Sequence, residues 1–232
     1  MFKRIISFFQ DFLFLIFPSH CEACDNVLYK NEEIICTKCL YELPRNNFSS
    51  DADNSILNLF AGRLPLKSAV ALFSFQKESK FRKLLHKLKY KNKPEIGILL
   101  GMELGAEMQK SNNFNDIDFI VPVPLHPNRQ KQRGYNQSEM IAIGIAKILN
   151  INISIDNFIR NEETTTQTKK TKEERWQNVA GKFLIKDENI FKNKHILLVD
   201  DVLTTGATLE ACGEFFVKID NLKLSIAVLA KV

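Results

Sequence analysis

Asp200 and Asp201 stand side by side between a run of branched apolar residues, Ile196 to Val199, and the segment Val202-Leu203-Thr204-Thr205-Gly206-Ala207-Thr208. The apolar run suits a strand buried on both faces, which reads as continuous hydrophobicity rather than alternation. The two carboxylates fall where that strand should end, and the hydroxyl-rich loop leads into a helix. A loop at a helix N-terminus offers a phosphate its backbone N–H groups and the positive end of the helix dipole. Carboxylates beside it accept hydrogen bonds from sugar hydroxyls. The combination can hold a sugar phosphate. For an Asp-Asp pair taken alone, capping of the following turn is the plainer alternative.

A second chemical group lies near the N-terminus. Cys21 and Cys24 form one C-x2-C pair and Cys36 with Cys39 another. Two such turns facing each other give tetrahedral sulfur ligation, the closed arrangement of structural zinc. A disulfide alternative needs an oxidising compartment, for which the chain carries no targeting signal. A module of this size cannot build its own core, so the metal would supply its folding free energy. His20 is not needed for a complete site and is expected to be a solvated neighbour. Cys212 stands alone and is expected to be a small buried apolar residue. The basic residues Lys30, Lys38 and Arg45 are outnumbered by Glu22, Asp25, Glu32, Glu33 and Glu42, a weak case for nucleic acid.

The elements that must position these groups follow from periodicity. With 232 residues, 45% hydrophobic and 25% charged, the chain suits one globular domain plus a small appendage. Its net charge of +5 is compatible with phosphate-bearing ligands without requiring them. Residues 1–18 are apolar, but Gln10 and Asp11 interrupt them and no small-residue cleavage site follows, so a packing helix is expected. They are too short to span a bilayer; weak membrane-surface contact is the alternative, and the location expected is cytoplasmic. The four-Cys module is placed at 19–45, and 46–67 reads as linker and loop. The remaining domain, 68–232, opens with an apolar strand from Ser68 to Phe75.

From Lys77 to Lys93 eight residues are Lys or Arg, while Phe81, Leu84, Leu85 and Leu88 fall at i, i+3, i+4 and i+7. That spacing predicts an amphipathic helix with a basic outer face, either solvated or anion-binding. A helix over Glu95 to Gln109 follows, then a buried strand over Asp118 to Val123. The segment His126 to Gln137 reads as a basic loop carrying Arg129, Lys131 and Arg133, ahead of a helix from Ser138 to Leu149. Residues 161–178 are polar and read as a surface loop or a mobile lid. Further strands are expected near 183–185, 195–199 and 223–230. Alternating strands and helices predict an α/β fold with mainly parallel core strands. In such sheets ligands bind beyond the carboxyl ends of the strands, so the basic and acidic loops should face one crevice.

The run Ile196 to Thr208 resembles the signature of type I phosphoribosyltransferases, which bind 5-phosphoribosyl-1-pyrophosphate. The whole ordered set is similar to the ComF family of phosphoribosyltransferase-like proteins. Besides the apolar start and the four cysteines, it includes Leu88-Lys89-Tyr90, Val121 through Pro127, and Arg133-Gly-Tyr-Asn-Gln137. Thr164 with Gln167 and Thr168, Arg175 with Asn178 and Val179, and Gly181 with Phe183 complete it. The chain departs from the family pattern at Thr165, Thr166, Lys169 and Lys170.

The resemblance implies a type I phosphoribosyltransferase-like fold, a link to DNA uptake in natural competence, and a set of roles. Asp200 and Asp201 would contact the ribose hydroxyls and stabilise positive charge at the anomeric carbon. Thr204, Thr205, Gly206, Ala207 and Thr208 would hold the 5-phosphate. Arg129, Arg133, Lys89 and Arg175 are candidates for pyrophosphate, with magnesium bridging substrate oxygens. It leaves the acceptor unidentified. The alternative is a non-catalytic protein of the DNA-uptake machinery that keeps the pocket for sensing and contacts single-stranded DNA or a protein partner.

Overall fold

The computed structural model describes residues 16–46, 54–75, 79–160 and 183–232. Five strands form one parallel sheet: β1 (Ser68–Ser74), β2 (Phe119–Pro122), β3 (Asn152–Ile153), β6 (His195–Leu203) and β7 (Lys223–Lys231). Their order across the sheet is β1-β7-β6-β2-β3. β4 (Phe158–Arg160) and β5 (Phe183–Ile185) make a separate antiparallel pair. β6 and β7 are buried almost throughout, as expected for strands covered on both faces.

One face of the sheet carries α3 (Lys80–Tyr90), α4 (Pro94–Gln109) and α6 (Gln137–Leu149); the other carries α2 (Asn54–Phe60), α7 (Ala207–Phe216) and the β4–β5 pair. α4 and α6 approach closely because glycines line the contact. A Cβ on Gly101 would lie 2.2 Å from the Ile141 carbonyl oxygen, and one on Gly144 would lie 2.2 Å from that of Ile98. The segment 46–67 is more than linker. Its α2 buries Ile56 and Phe60 completely against the α7 side of the sheet.

The chain leaves β2 through α6 on one face and leaves β6 through α7 on the other. Neighbouring strands whose connections depart to opposite faces define the crevice where open α/β sheets bind ligands. Pro122 sharpens it. β2 ends there, opposite Val199, whereas β6 continues pairing with β7 to Leu203. Asp200 and Asp201 therefore lie inside β6 rather than just after it. One edge of the strand is open beside them.

The cysteine module is not a free appendage. Cys21, Ala23, Leu28, Ile35, Cys39 and Leu43 are buried in the same apolar cluster as α3 and α4. The segment Pro44 to Asn46 caps part of the free edge of β1 through an antiparallel bridge of Arg45 to Phe73: Asn46 N–H donates to Leu72 O at 2.9 Å and Ser74 N–H to Pro44 O at 3.0 Å. Covering an edge strand this way removes a template for intermolecular pairing. Its α1 (Thr37–Tyr41) is a single short turn of helix.

Candidate functional site

Successive side chains on a strand leave opposite faces, and the acidic pair divides accordingly. Asp201 meets Lys89, at the end of α3, with Nζ 2.8 Å from Oδ2. Asp200 lies nearer the α7 side. Its Oδ1 accepts from Ser138 Oγ at 2.9 Å and from the Asp201 N–H at 2.9 Å. Burial, together with the neighbouring Asp201 charge, pushes the Asp200 carboxyl up to about 7; the two hydrogen bonds and Lys89 oppose that rise. Asp200 is thus a carboxylate short of positive partners.

Beside it, a shallow pocket is lined by Asp200 and Val202 to Leu209. Gly206 enters α7 with φ +79°, and a Cβ there would sit 2.8 Å from the Phe60 ring, so both backbone and space call for glycine. No side chain caps the helix at Gly206. Its first N–H groups have no intrahelical acceptor; that of Ala207 donates to Thr205 Oγ1 at 3.4 Å. Glu210, in the first turn, is paired with Arg63, whose Nε lies 2.9 Å from Oε1. That pairing removes a negative charge that would otherwise oppose a phosphate at the helix start.

The basic residues read from the sequence separate into two groups. His126 to Gln137 is not simply a loop: α5 (Pro127–Arg133) occupies most of it, with Pro127 in its first turn, His126 Nδ1 accepting from Asn128 N–H at 3.2 Å, and Gly134 closing it at φ +81°. Those start and stop signals are in the sequence. Arg133 reaches the α3 side, its guanidinium 5.3 Å over the Tyr90 ring and 2.6 Å from Gln137 Oε1. There the Tyr135 hydroxyl donates to the Leu88 carbonyl, tying this loop to the end of α3. Arg129 is exposed to solvent. Arg175 and the expected lid over 161–178 lie outside the described residues.

Two contributors were not singled out in the sequence. Asn136 caps α6, its Oδ1 accepting from Ser138 N–H at 3.1 Å, and its Nδ2 donates to Val123 O at 2.9 Å. That locks the helix start to the end of β2 and aims Ser138 at Asp200. An Asn-x-Ser at a helix start is a capping signal; nothing local says that the serine meets a carboxylate 62 positions later.

The basic face of α3 also differs from expectation. Much of it meets the cysteine module rather than open solvent. Lys87 Nζ lies 2.8 Å from Glu22 and Lys93 Nζ 2.7 Å from the same carboxylate; Lys80 meets Glu42 at 2.5 Å, and Lys83 pairs with Asp25. Arg45 adds a pair to Glu103 of α4 at 2.5 Å. The acidic residues of the module are therefore its docking surface.

Within it, the Sγ atoms of Cys21, Cys24, Cys36 and Cys39 all lie within 4.8 Å of one another, and none is in a disulfide. Cys24 and Cys36 sulfurs are 3.8 Å apart, the edge expected of a sulfur tetrahedron around a metal with bonds of about 2.3 Å. Backbone N–H groups of Cys36 and Cys39 donate to the sulfurs of Cys21 and Cys36, the kind of support that orients thiolate ligands. The cluster can hold a metal ion. Cys212 is fully buried, as expected of a small apolar residue, and burial with the nearby Asp200 charge holds its thiol protonated.

Residues 136–232 match the family model described as the phosphoribosyl transferase domain. The chain is 29% identical over 153 residues to Competence protein F of Haemophilus influenzae, covering 64% of this chain and 66% of that one. It is 28% identical to the DNA utilization protein YhgH of Escherichia coli, over 58% of this chain and 60% of that one. To Competence protein ComFC of Bacillus subtilis it is 26% identical over 85% of its own length and 78% of the relative's. These likenesses and the domain match support a relationship to the ComF family. With the first two relatives, the match spans a little under two thirds of their length. A crystal structure of adenine phosphoribosyltransferase is also similar at 16% identity and TM-score 0.37, over 60% of this chain and 69% of that one. The chain joins a type I phosphoribosyltransferase-like sheet to a four-Cys module, and no helix among its described residues is long and apolar enough to cross a membrane.

Proposed function

We propose that this protein binds 5-phosphoribosyl-1-pyrophosphate with magnesium and transfers the phosphoribosyl group to an acceptor, releasing pyrophosphate. The observation that carries this reading is the Asp200–Asp201 pair at the open edge of β6, beside a helix start with no side-chain cap. The loop Thr204 to Thr208 receives the 5-phosphate on its N–H groups. Asp200 and Asp201 accept the ribose hydroxyls and, as the anomeric C–O bond breaks, stabilise the positive charge left on the sugar. The bonding electrons depart with pyrophosphate, the acceptor's lone pair forms the new bond to the anomeric carbon, and the acceptor gives up its proton. Magnesium, held by substrate oxygens and water, would neutralise charge on pyrophosphate. Lys89 exchanges Asp201 for the pyrophosphate, with Arg133 beside it over Tyr90; Arg175 remains a candidate of the same kind.

Tetrahedral four-sulfur ligation favours zinc in the cysteine module. Metal analysis should return one zinc per chain, and chelation should lower the melting temperature; a fully folded metal-free protein would rule out the structural assignment.

The names of the relatives place competence and DNA utilization beside this chemistry, and one observation favours a nucleic-acid contact as a second reading. Tyr29 and Tyr41 of the cysteine module are 80% and 88% exposed, next to Lys30 and Lys38. Exposed aromatic rings among lysines can stack single-stranded bases. The two readings separate in solution. Pyrophosphate release dependent on magnesium and an acceptor supports transfer. Salt-sensitive single-strand binding with no release from any acceptor would favour the binding role.

A further inference from the structure

The segment 54–66, which runs through α2 and the turn after it, grips α7 at three points. Phe60 is fully buried, and a Cβ on Gly206 would lie 2.8 Å from its ring. Further along, a Cβ on Gly213 would lie 2.5 Å from Leu64 Cδ2. Between them Arg63 meets Glu210 with both prongs of its guanidinium: Nε lies 2.9 Å from Oε1, and Nη2 pairs with Oε2. Gly206, Glu210 and Gly213 are spaced i, i+4 and i+7, so one stripe of α7 receives the segment. The turn that carries Arg63 is held in its own right. The Arg63 and Leu64 N–H groups both donate to Phe60 O at 2.9 Å, Gly62 takes φ +74°, and Arg63 Nη1 donates to Leu59 O at 3.4 Å.

Glu210 is 7% exposed. A carboxylate so far removed from water needs a charged partner, and a forked pair with a guanidinium is the strong form of that contact. Its place on α7 gives the pair a second consequence. Glu210 stands four residues beyond Gly206, about 6 Å along the helix axis, and so about one turn from the loop Thr204 to Thr208. A carboxylate there suits the helix dipole but opposes a second anion at the same helix start. Over so short a separation, and away from water, repulsion between like charges is weakly screened. Arg63 cancels it, although 147 positions separate it from Glu210.

We propose that Arg63 is a positioning residue for the 5-phosphate: by holding Glu210 neutralised, it keeps the start of α7 receptive to a phosphate monoester, and it acts without touching the ligand. This rests on the phosphoribosyl reading of the pocket. A purely structural clasp between α2 and α7 is the competing role of the same pair, and the experiment distinguishes the two.

The test is a double-mutant cycle read by calorimetry. Wild type, Arg63→Met, Glu210→Gln and the double variant are titrated with magnesium phosphoribosyl pyrophosphate, with ribose 5-phosphate and with magnesium pyrophosphate. Arg63→Met should lose at least about tenfold in affinity for the two ligands that carry the 5-phosphate, and stay within about threefold of wild type for pyrophosphate. Removing the carboxylate as well should return the double variant to within about threefold of wild type. That rescue separates charge from scaffolding, because a lost clasp stays lost when Glu210 is neutralised. Unchanged affinity in a folded Arg63→Met, equal losses for all three ligands, or a double variant as weak as Arg63→Met would each overturn the proposal. Should Arg63→Met fold poorly, Glu210→Gln alone decides. It frees the guanidinium charge and should strengthen 5-phosphate binding by about threefold or more; unchanged or weaker binding would reject the role. If wild type binds neither phosphoribosyl pyrophosphate nor ribose 5-phosphate, the proposed function fails, and inorganic phosphate is titrated into the same four proteins. Phosphate binding that Arg63→Met loses and the double variant recovers sustains the role of Arg63, and any other pattern rejects it.

Discussion

The two ends of strand β6 carry similar chemistry in opposite states. At the amino end, His195 is buried, its Nδ1 2.9 Å from Asp116 Oδ1 and its Nε2 2.8 Å from Ser225 Oγ. Asp116 also meets Lys67 Nζ at 2.5 Å and Lys223 Nζ at 3.5 Å. At the carboxyl end, Asp200 has Ser138 and one N–H, and Asp201 has Lys89. The lysine and histidine partners hold the Asp116 carboxyl well below the usual range, whereas burial and Asp201 raise Asp200 to about 7. A hydrogen-bonded Ser–His–Asp series has the order of a hydrolase triad, yet here Ser225 is sealed inside the sheet with no access for a substrate. Residue types alone do not separate a structural cluster from a ligand site. Saturation and access do: the amino end is complete, whereas at the carboxyl end Asp200 has no ion-pair partner among the described residues.

Changes at the amino end should cost stability and leave binding alone. His195→Ala removes two buried hydrogen bonds and leaves the Ser225 hydroxyl unpaired, so urea unfolding should show a loss of about 3 kcal/mol. The folded variant should keep its affinity for phosphoribosyl pyrophosphate; a binding defect without a stability defect would reverse the roles of the two ends.

Asp200→Asn should act with the opposite sign. A carboxyl whose pKa is raised on folding contributes its stability below the unfolded value near 4 and loses it as pH rises through about 7. The variant should therefore be more stable than wild type at pH 8, by roughly 1–2 kcal/mol, with the gap closing toward pH 4. Asp116 and His195 are both shifted down. Their contributions are present at neutral pH and fade as pH falls through the histidine and then the carboxylate range. Thermal melts of wild type and the two variants across pH 4–8 separate these slopes.

Ligand binding should carry the same signature. If the bound sugar needs ionised Asp200, affinity for phosphoribosyl pyrophosphate rises from pH 6 to 8 by up to about tenfold per unit below the raised pKa. That rise should disappear in Asp200→Asn. Ser138→Ala gives the smallest effect. Loss of one hydrogen bond to the carboxylate, about 1 kcal/mol, should weaken binding severalfold and move the pH midpoint upward.

Much of this was legible in the chain. The apolar run Ile196 to Val199 and the threonine loop specify strand and turn locally, and the C-x2-C pairs specify a four-sulfur cluster by spacing. What escaped was non-local or shared between readings. Ser138 and Lys89 acquire their roles from carboxylates on β6, brought to them by helix packing. Lys80, Lys83, Lys87 and Lys93 read as an outward basic face because their partners Glu22, Asp25 and Glu42 lie in another module. The extension of β6 through Asp200 depends on its continued pairing with β7, as far as Leu203 opposite Lys231. α5 was a local miss: Pro127 and Gly134 mark both of its ends.

We propose Asp200 and Asp201 as the ribose-binding end of a phosphoribosyl pyrophosphate pocket. Calorimetric titration of wild type and the Asp200→Asn, Asp201→Asn double variant with magnesium and phosphoribosyl pyrophosphate tests it most directly. Wild type should bind, and the double variant should be folded and at least about a hundredfold weaker, the loss of two charge-assisted contacts. Unchanged affinity in the folded double variant would show that the acidic pair does not bind the ribose.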